Sequence, residues 1–184
     1  LKTYFEVFSK LGVKYVTIHA NWPPWSSFSV EEGIQFQIET LKKLVNEAKK
    51  FNINLIYEPV DTDKDNVKNV SEVLRNIPEL YLHLDIGHAN LFGRNPEEFL
   101  ANFHQKIKHI HLHDNDGVRD LHIPIGTGQI EWEKLIKILK KYYDVMYSES
   151  YDRWTLAMAF NASQELIEKI KKDRFYGSDD MGVD

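Results

Sequence analysis

Short β-rich runs alternate with amphipathic helical stretches along the sequence. Strands that alternate with helices form right-handed βαβ units, whose strands lie parallel in one sheet. A chain of 184 residues is long enough for one domain with a substantial core. The pattern therefore predicts an α/β fold with five parallel strands. The predicted strands cover residues 13–20, 53–60, 80–86, 107–113 and 145–151, and a helical stretch at 2–11 precedes them.

Helix start signals locate several of the predicted helices. Ser29 opens a Ser-x-x-Glu sequence, which is the spacing of a capping box. Asn95 is followed by proline, as is typical of a helix N-terminus. A further helix is predicted over 131–141, where apolar residues recur at helical spacing, and a last one around 166–170.

The composition excludes several kinds of site. The chain has no cysteine, which rules out disulfides, thiolate metal sites and cysteine nucleophiles. Its formal charge of −5 argues against broad, sequence-independent binding to nucleic acid or to anionic membranes. No apolar run approaches the roughly 20 residues of a membrane span, and the first residues do not have the layout of a signal peptide. We therefore expect a cytoplasmic protein.

Residues able to bind a metal or transfer a proton stand at the end of every predicted strand. In parallel α/β folds these ends, with the loops that follow them, carry the active site. Side-chain alternation also places His109, His111 and His113 on one face of their strand. The candidates are His19, Glu58, Asp85, His88, His111, His113 and Glu149, with Asp120 and His122 in the loop after the fourth strand.

Carboxylates that point into the protein interior predict a bound cation. Burying a charged carboxylate is costly unless something compensates it, and a divalent cation suits this set of residues. Imidazole and carboxylate ligands without sulfur suit Zn, Mn, Co or Fe, and suit Mg less well. His83 and His109 are interpreted instead as packed polar residues one layer below the site, and His104 as a solvated helix position.

Three segments of the sequence resemble the xylose isomerase-like TIM-barrel superfamily. Residues 82–90 (Leu-His-Leu-Asp-Ile-Gly-His-Ala-Asn) are similar to its Asp-x-Gly-His element. Residues 109–115 (His-Ile-His-Leu-His-Asp-Asn) are similar to a second element of the superfamily. A third similarity, at 120–132, combines Asp-x-His, Gly-x-Gly and Ile-acid-Trp sequences.

This resemblance implies a (β/α)8 TIM barrel of which the chain supplies only a part. A complete barrel has eight strands and about 250 residues. The order of the motifs matches strands four to eight, within a domain at 1–172 that is followed by a polar tail at 173–184. We therefore expect the C-terminal portion of a longer chain, or a partial barrel completed by a partner or by homo-oligomerisation.

The same resemblance implies a metal site and a chemistry. Glu58, Asp85, His111 and Glu149 would hold one divalent metal ion: Mn, Zn, Co or Mg. In the isomerases and epimerases, the residues that match Glu58 and Glu149 also act as acid and base on opposite sides of the substrate, and His88 would contact a substrate hydroxyl. The implied function is a sugar or sugar-phosphate isomerase or epimerase that transfers a proton next to a carbonyl.

Two other functions stay open at this point. The superfamily includes endonuclease IV, which cuts DNA at abasic sites; residues matching His88, Asp120 and His122 hold another zinc there, and one matching His19 helps to hold a third. A third hypothesis is a metal-binding protein with a degenerate site. Three observations favour a small sugar substrate. The chain is acidic, no Lys/Arg cluster lies near the site in the sequence, and residues 22–25 (Trp-Pro-Pro-Trp) form an aromatic segment. We expect DNA as a partner only under the endonuclease hypothesis, and no membrane partner.

Overall fold

The computed structural model describes residues 2–20, 22, 28–149 and 156–158, with only the backbone described at 140, 143–149 and 156–158. Helices and strands alternate through this part of the chain. None of its helices is long and apolar enough to cross a membrane. The elements are α1 (Lys2–Lys10), β1 (Tyr15–His19), α2 (Val30–Lys49), β2 (Asn54–Glu58), α3 (Val67–Asn76), β3 (Tyr81–Asp85), α4 (Ile86–Ala89), a 3-10 turn (Leu91–Gly93), α5 (Pro96–Phe103), β4 (Ile107–Leu112), α6 (Trp132–Glu149) and β5 (Leu156–Met158).

The strands form one parallel sheet in the order of the sequence, β1-β2-β3-β4-β5. A parallel sheet that keeps sequence order and carries a helix between successive strands is an arc of a (β/α)8 barrel. The register pairs His19 with Glu58 and Asp85 with His111. Because the strands run the same way, these strand-end side chains meet at one edge of the sheet.

Alternation along each strand separates the core from the concave face. Leu82 and Leu84 of β3 are buried in the hydrophobic core, as are Ile110 and Leu112 of β4. Full burial of such a side chain contributes about 1.5–3 kcal/mol relative to its exposure. The intervening positions face the other side of the sheet, where histidines and carboxylates gather.

The helix start signals predicted from the sequence are confirmed. Ser29 Oγ accepts a hydrogen bond from the Glu32 backbone N–H, and the Glu32 carboxylate accepts one from the Ser29 N–H at 2.8 Å. Asn95 caps α5 through its side-chain oxygen. Each cap satisfies N–H groups that have no partner within the helix.

The predicted strand at 145–151 is wrong over its described part. Helix α6 continues to Glu149, and the fifth strand is β5, several residues later. The reason is local: the sequence has no glycine or proline between Trp132 and Tyr176, so nothing stops the helix at residue 141. A short apolar run such as this one fits the two-residue period of a strand and the 3.6-residue period of a helix equally well. The predicted helix around 166–170 and the tail at 173–184 lie outside the described residues.

The interpretation of His104 as a solvated residue is also wrong. His104 is the C-cap residue of α5, and its ring stacks on the Tyr142 ring of α6 with centroids 4.3 Å apart. Its Nδ1 atom is buried. The extension of α6 beyond residue 141 brings the aromatic partner to this position.

Asp114 organises the long loop between β4 and α6. Its carboxylate is fully buried and accepts hydrogen bonds from the indole N–H of Trp132 at 2.7 Å and from the backbone N–H of Gly126 at 2.9 Å. The backbone N–H groups of Asn115 and Ile130 donate to its other oxygen. A side chain on Gly128 would lie 2.3 Å from this carboxylate, so the close approach of the loop requires glycine there.

We predict that Asp114→Ala strongly destabilises the protein. The substitution leaves four buried or half-buried N–H donors without an acceptor, at a cost of about 3–5 kcal/mol in total. Urea unfolding followed by circular dichroism measures this loss. The control Asp63→Ala removes an equal charge from a side chain that is 71% exposed and should change the free energy of unfolding by less than about 0.5 kcal/mol. Equal effects of the two substitutions would contradict the role given to Asp114.

Candidate metal centre

Glu58, Asp85 and His111 converge at the carboxyl ends of β2, β3 and β4. His111 Nδ1 lies 3.3 Å from Asp85 Oδ2 and 3.6 Å from Glu58 Oε1. One ligand atom from each residue lies within 4.8 Å of the other two. Both carboxylates are 2% exposed, whereas the His111 side chain is 41% exposed and open to the concave side. We call these three residues the carboxylate centre.

The donor set of the carboxylate centre fits a divalent cation. Two buried carboxylates and one imidazole supply hard oxygen and borderline nitrogen ligands without sulfur. Ligand atoms this close together can surround one ion at about 2.0–2.2 Å each. The structure thus brings together three of the four residues predicted to hold the metal.

The structure does not test the fourth predicted ligand, Glu149. Its backbone ends α6 rather than a strand, so the expected strand-end position is wrong. Its side chain lies outside the described residues. The prediction that it completes the ligand set stays a prediction.

Charge compensation holds the carboxylate centre ionised. Burial opposes the charge of Glu58, but the neighbouring His111 and His83 rings outweigh it and lower the pKa of this carboxyl to about 2. Burial is likewise outweighed at Asp85, where His111 and His113 lower the pKa below its usual range. The two carboxylates in turn raise the pKa of His111 to about 9. The carboxylates are therefore charged at neutral pH.

The second oxygen of Glu58 contacts two further histidines. His19 Nε2 lies 2.9 Å from Glu58 Oε2, and His83 Nδ1 lies 3.1 Å from the same atom. His19 is at the end of β1 as predicted, with its side chain 69% exposed. His83 lies one layer below the strand ends, as predicted, but it contacts the site directly.

A second group of ligand-type residues lies beside the carboxylate centre, and we call it the loop cluster. It consists of His88, His113, Asp120 and His122, with one ligand atom from each within 4.8 Å of the others. His122 Nε2 lies 2.9 Å from Asp120 Oδ2, and His88 Nε2 lies 3.5 Å from it. Of the four residues predicted as additional ligands, His88, Asp120 and His122 therefore meet here, whereas His19 contacts Glu58 instead.

His113 is the member of the loop cluster to which the family resemblance gave no metal role, although it was among the strand-end candidates. It is 2% exposed, its Nε2 lies 2.8 Å from Asp85 Oδ1, and its ring packs against the backbone of Gly87. A side chain at position 87 would lie 1.8 Å from this ring. The signal was present in the His-x-His-x-His alternation, which placed His113 on the same face as His111.

Asp85 links the two groups through the start of α4. Its Oδ1 accepts a hydrogen bond from the His88 backbone N–H at 3.0 Å, as an N-cap does. The His88 ring donates from Nδ1 to the Pro59 carbonyl at 3.1 Å, because a carbonyl oxygen can only accept. The Asp-x-x-His spacing thus places Asp85 and His88 at the two ends of one helical turn, with Asp85 as its N-cap.

The family described as "Xylose isomerase-like TIM barrel" matches residues 1–172. The chain belongs to this family. The sheet described above is accordingly part of a TIM barrel, and the resemblance found in the sequence motifs is confirmed.

Two curated relatives place the chain within the family. An uncharacterized protein of Methanocaldococcus jannaschii is 33% identical over 143 residues, which are 77% of this chain and 56% of that protein. Fructoselysine 3-epimerase of Shigella flexneri is 26% identical over 144 residues, which are 74% of this chain and 50% of that enzyme. The chain therefore spans about half the length of the curated relatives it matches.

A solved structure agrees in fold. The crystal structure of a D-tagatose 3-epimerase-like protein superposes with a TM-score of 0.73 at 26% identity and covers 95% of this chain and 66% of that one. The difference in coverage agrees with a partial barrel.

We predict that His111 makes the metal-free protein less stable as the pH rises. Its pKa is about 9 in the folded chain against 6.5 when unfolded, so its stabilising charge is fully present below pH 6.5 and is lost as the pH rises through about 9. The melting temperature in a chelator should fall over this interval. His111→Gln should have a lower melting temperature at pH 6.5 and a flatter profile above it. Parallel profiles for the two proteins would contradict the pairing of His111 with the carboxylates.

Proposed function

We propose that the chain carries the active site of a divalent-metal-dependent sugar or sugar-phosphate isomerase or epimerase. The observation that carries this proposal is the convergence of Glu58, Asp85 and His111 at the carboxyl ends of three parallel strands. Active sites of TIM barrels are built at this end. The epimerase names of its relatives support a sugar substrate.

Glu58, Asp85 and His111 would hold the ion, with Glu149 as a fourth ligand. A divalent cation polarises a carbonyl and so makes the neighbouring C–H more acidic. Mn, Zn, Co and Mg are all compatible with carboxylate and imidazole donors, with Mg the least favoured. The exposed side of His111 leaves room for substrate oxygen atoms at the same ion.

Glu58 is suited to accept a proton from the substrate. Its carboxylate is ionised at neutral pH and its two oxygens are placed by histidines on either side. A second acid/base group on the opposite face, assigned to Glu149, would return the proton to the same carbon and give epimerisation. Return of the proton to the adjacent carbon would give isomerisation.

His88 and Trp22 are suited to hold a sugar. Donation from His88 Nδ1 to Pro59 fixes the ring so that Nε2 would contact a substrate hydroxyl. The Trp22 indole N–H donates to the buried Asp65 carboxylate at 3.1 Å, which holds this half-buried ring three residues after His19. A fixed aromatic ring suits stacking against the apolar face of a sugar; Trp25 lies outside the described residues.

Solvent deuterium exchange tests the reaction class without knowledge of the product. We expect the Mn- or Zn-loaded protein to incorporate deuterium from D2O next to the carbonyl of at least one member of a panel of ketoses and ketose phosphates, as read by proton NMR. Glu58→Gln should lower this rate by about 10²–10⁴-fold because the shape is kept but the base is lost. Glu149→Gln should have an effect of similar size.

Glu79→Gln is the matched control for both glutamates. Glu79 is exposed, pairs with Lys49 on the surface and precedes the amino end of β3, whereas the site lies at the carboxyl ends of the strands. Its neutralisation should therefore leave the exchange rate unchanged. Exchange that survives in Glu58→Gln would overturn the role of Glu58. No exchange with any member of the panel by the folded, metal-loaded wild type would overturn the reaction class.

The loop cluster favours one second candidate, a zinc-dependent abasic-site endonuclease. His88, Asp120 and His122 meet as that activity requires under the superfamily resemblance. Nicking of a supercoiled plasmid that carries abasic sites, with and without chelator, measures it. Chelator-sensitive nicking that is lost in His122→Ala, together with no deuterium exchange, would replace the isomerase proposal with this one.

A further inference from the structure

Three histidines converge on the concave face of the sheet below the carboxylate centre. His109 and His111 alternate along β4, and His83 of β3 is the register partner of His109. The ring centroids of His83 lie 4.4 Å from His109 and 4.0 Å from His111, and those of His109 and His111 are 5.0 Å apart. One ring nitrogen from each residue lies within 4.8 Å of the other two.

His83 is buried without the hydrogen bonds that its burial requires. It is 2% exposed, and neither of its ring nitrogens has a hydrogen-bond partner among the described residues. Nδ1 lies 3.1 Å from Glu58 Oε2, but the direction of this contact is not that of a hydrogen bond. A buried polar atom left unpaired destabilises the folded chain, so a native protein that keeps one usually has a use for it.

The three imidazoles face open space. A cavity of about 290 Å³ is lined by Thr17, His19, Glu58, His83, His109 and His111. Three imidazoles with a fourth position open to a cavity are the ligand set of a catalytic zinc site. The cavity is large enough to hold water or a small ligand at that fourth position.

We propose that His83, His109 and His111 form a second metal site, for a borderline transition-metal ion such as Zn²⁺ or Cu²⁺. An all-nitrogen set selects such ions over Mg²⁺, Ca²⁺ and Mn²⁺, which prefer oxygen. When His83 Nε2 binds the ion, a rotation of the ring would align its Nδ1–H with Glu58 Oε2, 3.1 Å away, and a carboxylate acceptor is the usual support for a metal-bound imidazole. This satisfies both nitrogens of His83.

His111 belongs to both sites and makes them alternatives. Its Nδ1 faces Asp85 and Glu58, so its Nε2 serves the three-histidine site. A neutral imidazole has one lone pair, and simultaneous binding at both nitrogens would require a second deprotonation. Mn²⁺ therefore occupies the carboxylate centre, Cu²⁺ occupies the three-histidine site, and Zn²⁺, which accepts both sets of donors, binds at either one but not at both. The inference concerns binding alone and does not depend on the proposed reaction.

Copper binding tests this assignment in a background that lacks the loop cluster. The Asp120→Ala, His122→Ala variant removes two of the four residues of that cluster and keeps both remaining sites. We expect it to bind one Cu²⁺ per chain, with an electron paramagnetic resonance spectrum that shows three imidazole nitrogens. Adding His109→Ala should reduce the nitrogen count and weaken Cu²⁺ binding by more than about 100-fold, since loss of even an outer partner of a ligand costs 10–100-fold.

The controls separate a lost ligand from a damaged fold. His109→Gln fills the same space and should behave as His109→Ala does, with an unchanged circular dichroism spectrum. His104→Ala removes a histidine that belongs to neither site and should keep the three-nitrogen spectrum and the affinity. A background spectrum with one imidazole nitrogen, unaffected by His109→Ala or His109→Gln, would overturn the proposal and assign the copper to the carboxylate centre.

Discussion

The arrangement of side chains at the carboxyl ends of the strands depends on one constraint, the burial of Glu58 and Asp85 side by side. Two ionised carboxylates cannot lie this close in a protein interior without positive charge or hydrogen-bond donors around them. Histidines from β1, β3, β4 and the turn after β4 supply those donors, and each carboxylate oxygen contacts at least one imidazole or backbone N–H. The same arrangement suits a bound cation, whose positive charge would replace that of the protonated His111 ring.

The sequence was sufficient for the fold and for most of the site because the relevant patterns are local. Four strands and four helices follow from period-two and helical apolar spacing with recognisable caps, and strand ends in a parallel sheet must share an edge. That rule alone brings His19, Glu58, Asp85 and His111 together. The family motifs then added Asp120 and His122, whose meeting with His88 depends on the path of a loop.

What the sequence could not supply was decided by contacts between distant residues. No glycine or proline marks the end of α6, and the residues around Val145 suit a strand or a helix equally well. His83 and His113 were visible as strand residues, but their contacts with Glu58 and Asp85 depend on how neighbouring strands are staggered. Asp114 gave no local signal, since its four donors come from both ends of an eighteen-residue stretch.

Arg94 connects the loops at the carboxyl ends of the strands through hydrogen bonds. Its guanidinium donates to the backbone carbonyls of Thr62 and Asp65 in the loop after β2, and to those of His88 and Leu91 after β3. Asp65 in turn holds Trp22 in the loop after β1. A molecule that enters between these loops cannot push one aside without breaking hydrogen bonds in the others. The opening between these three loops therefore resists widening. The size of the ligands that can enter is set by the rigidity of the linked loops as well as by the residues that line the opening.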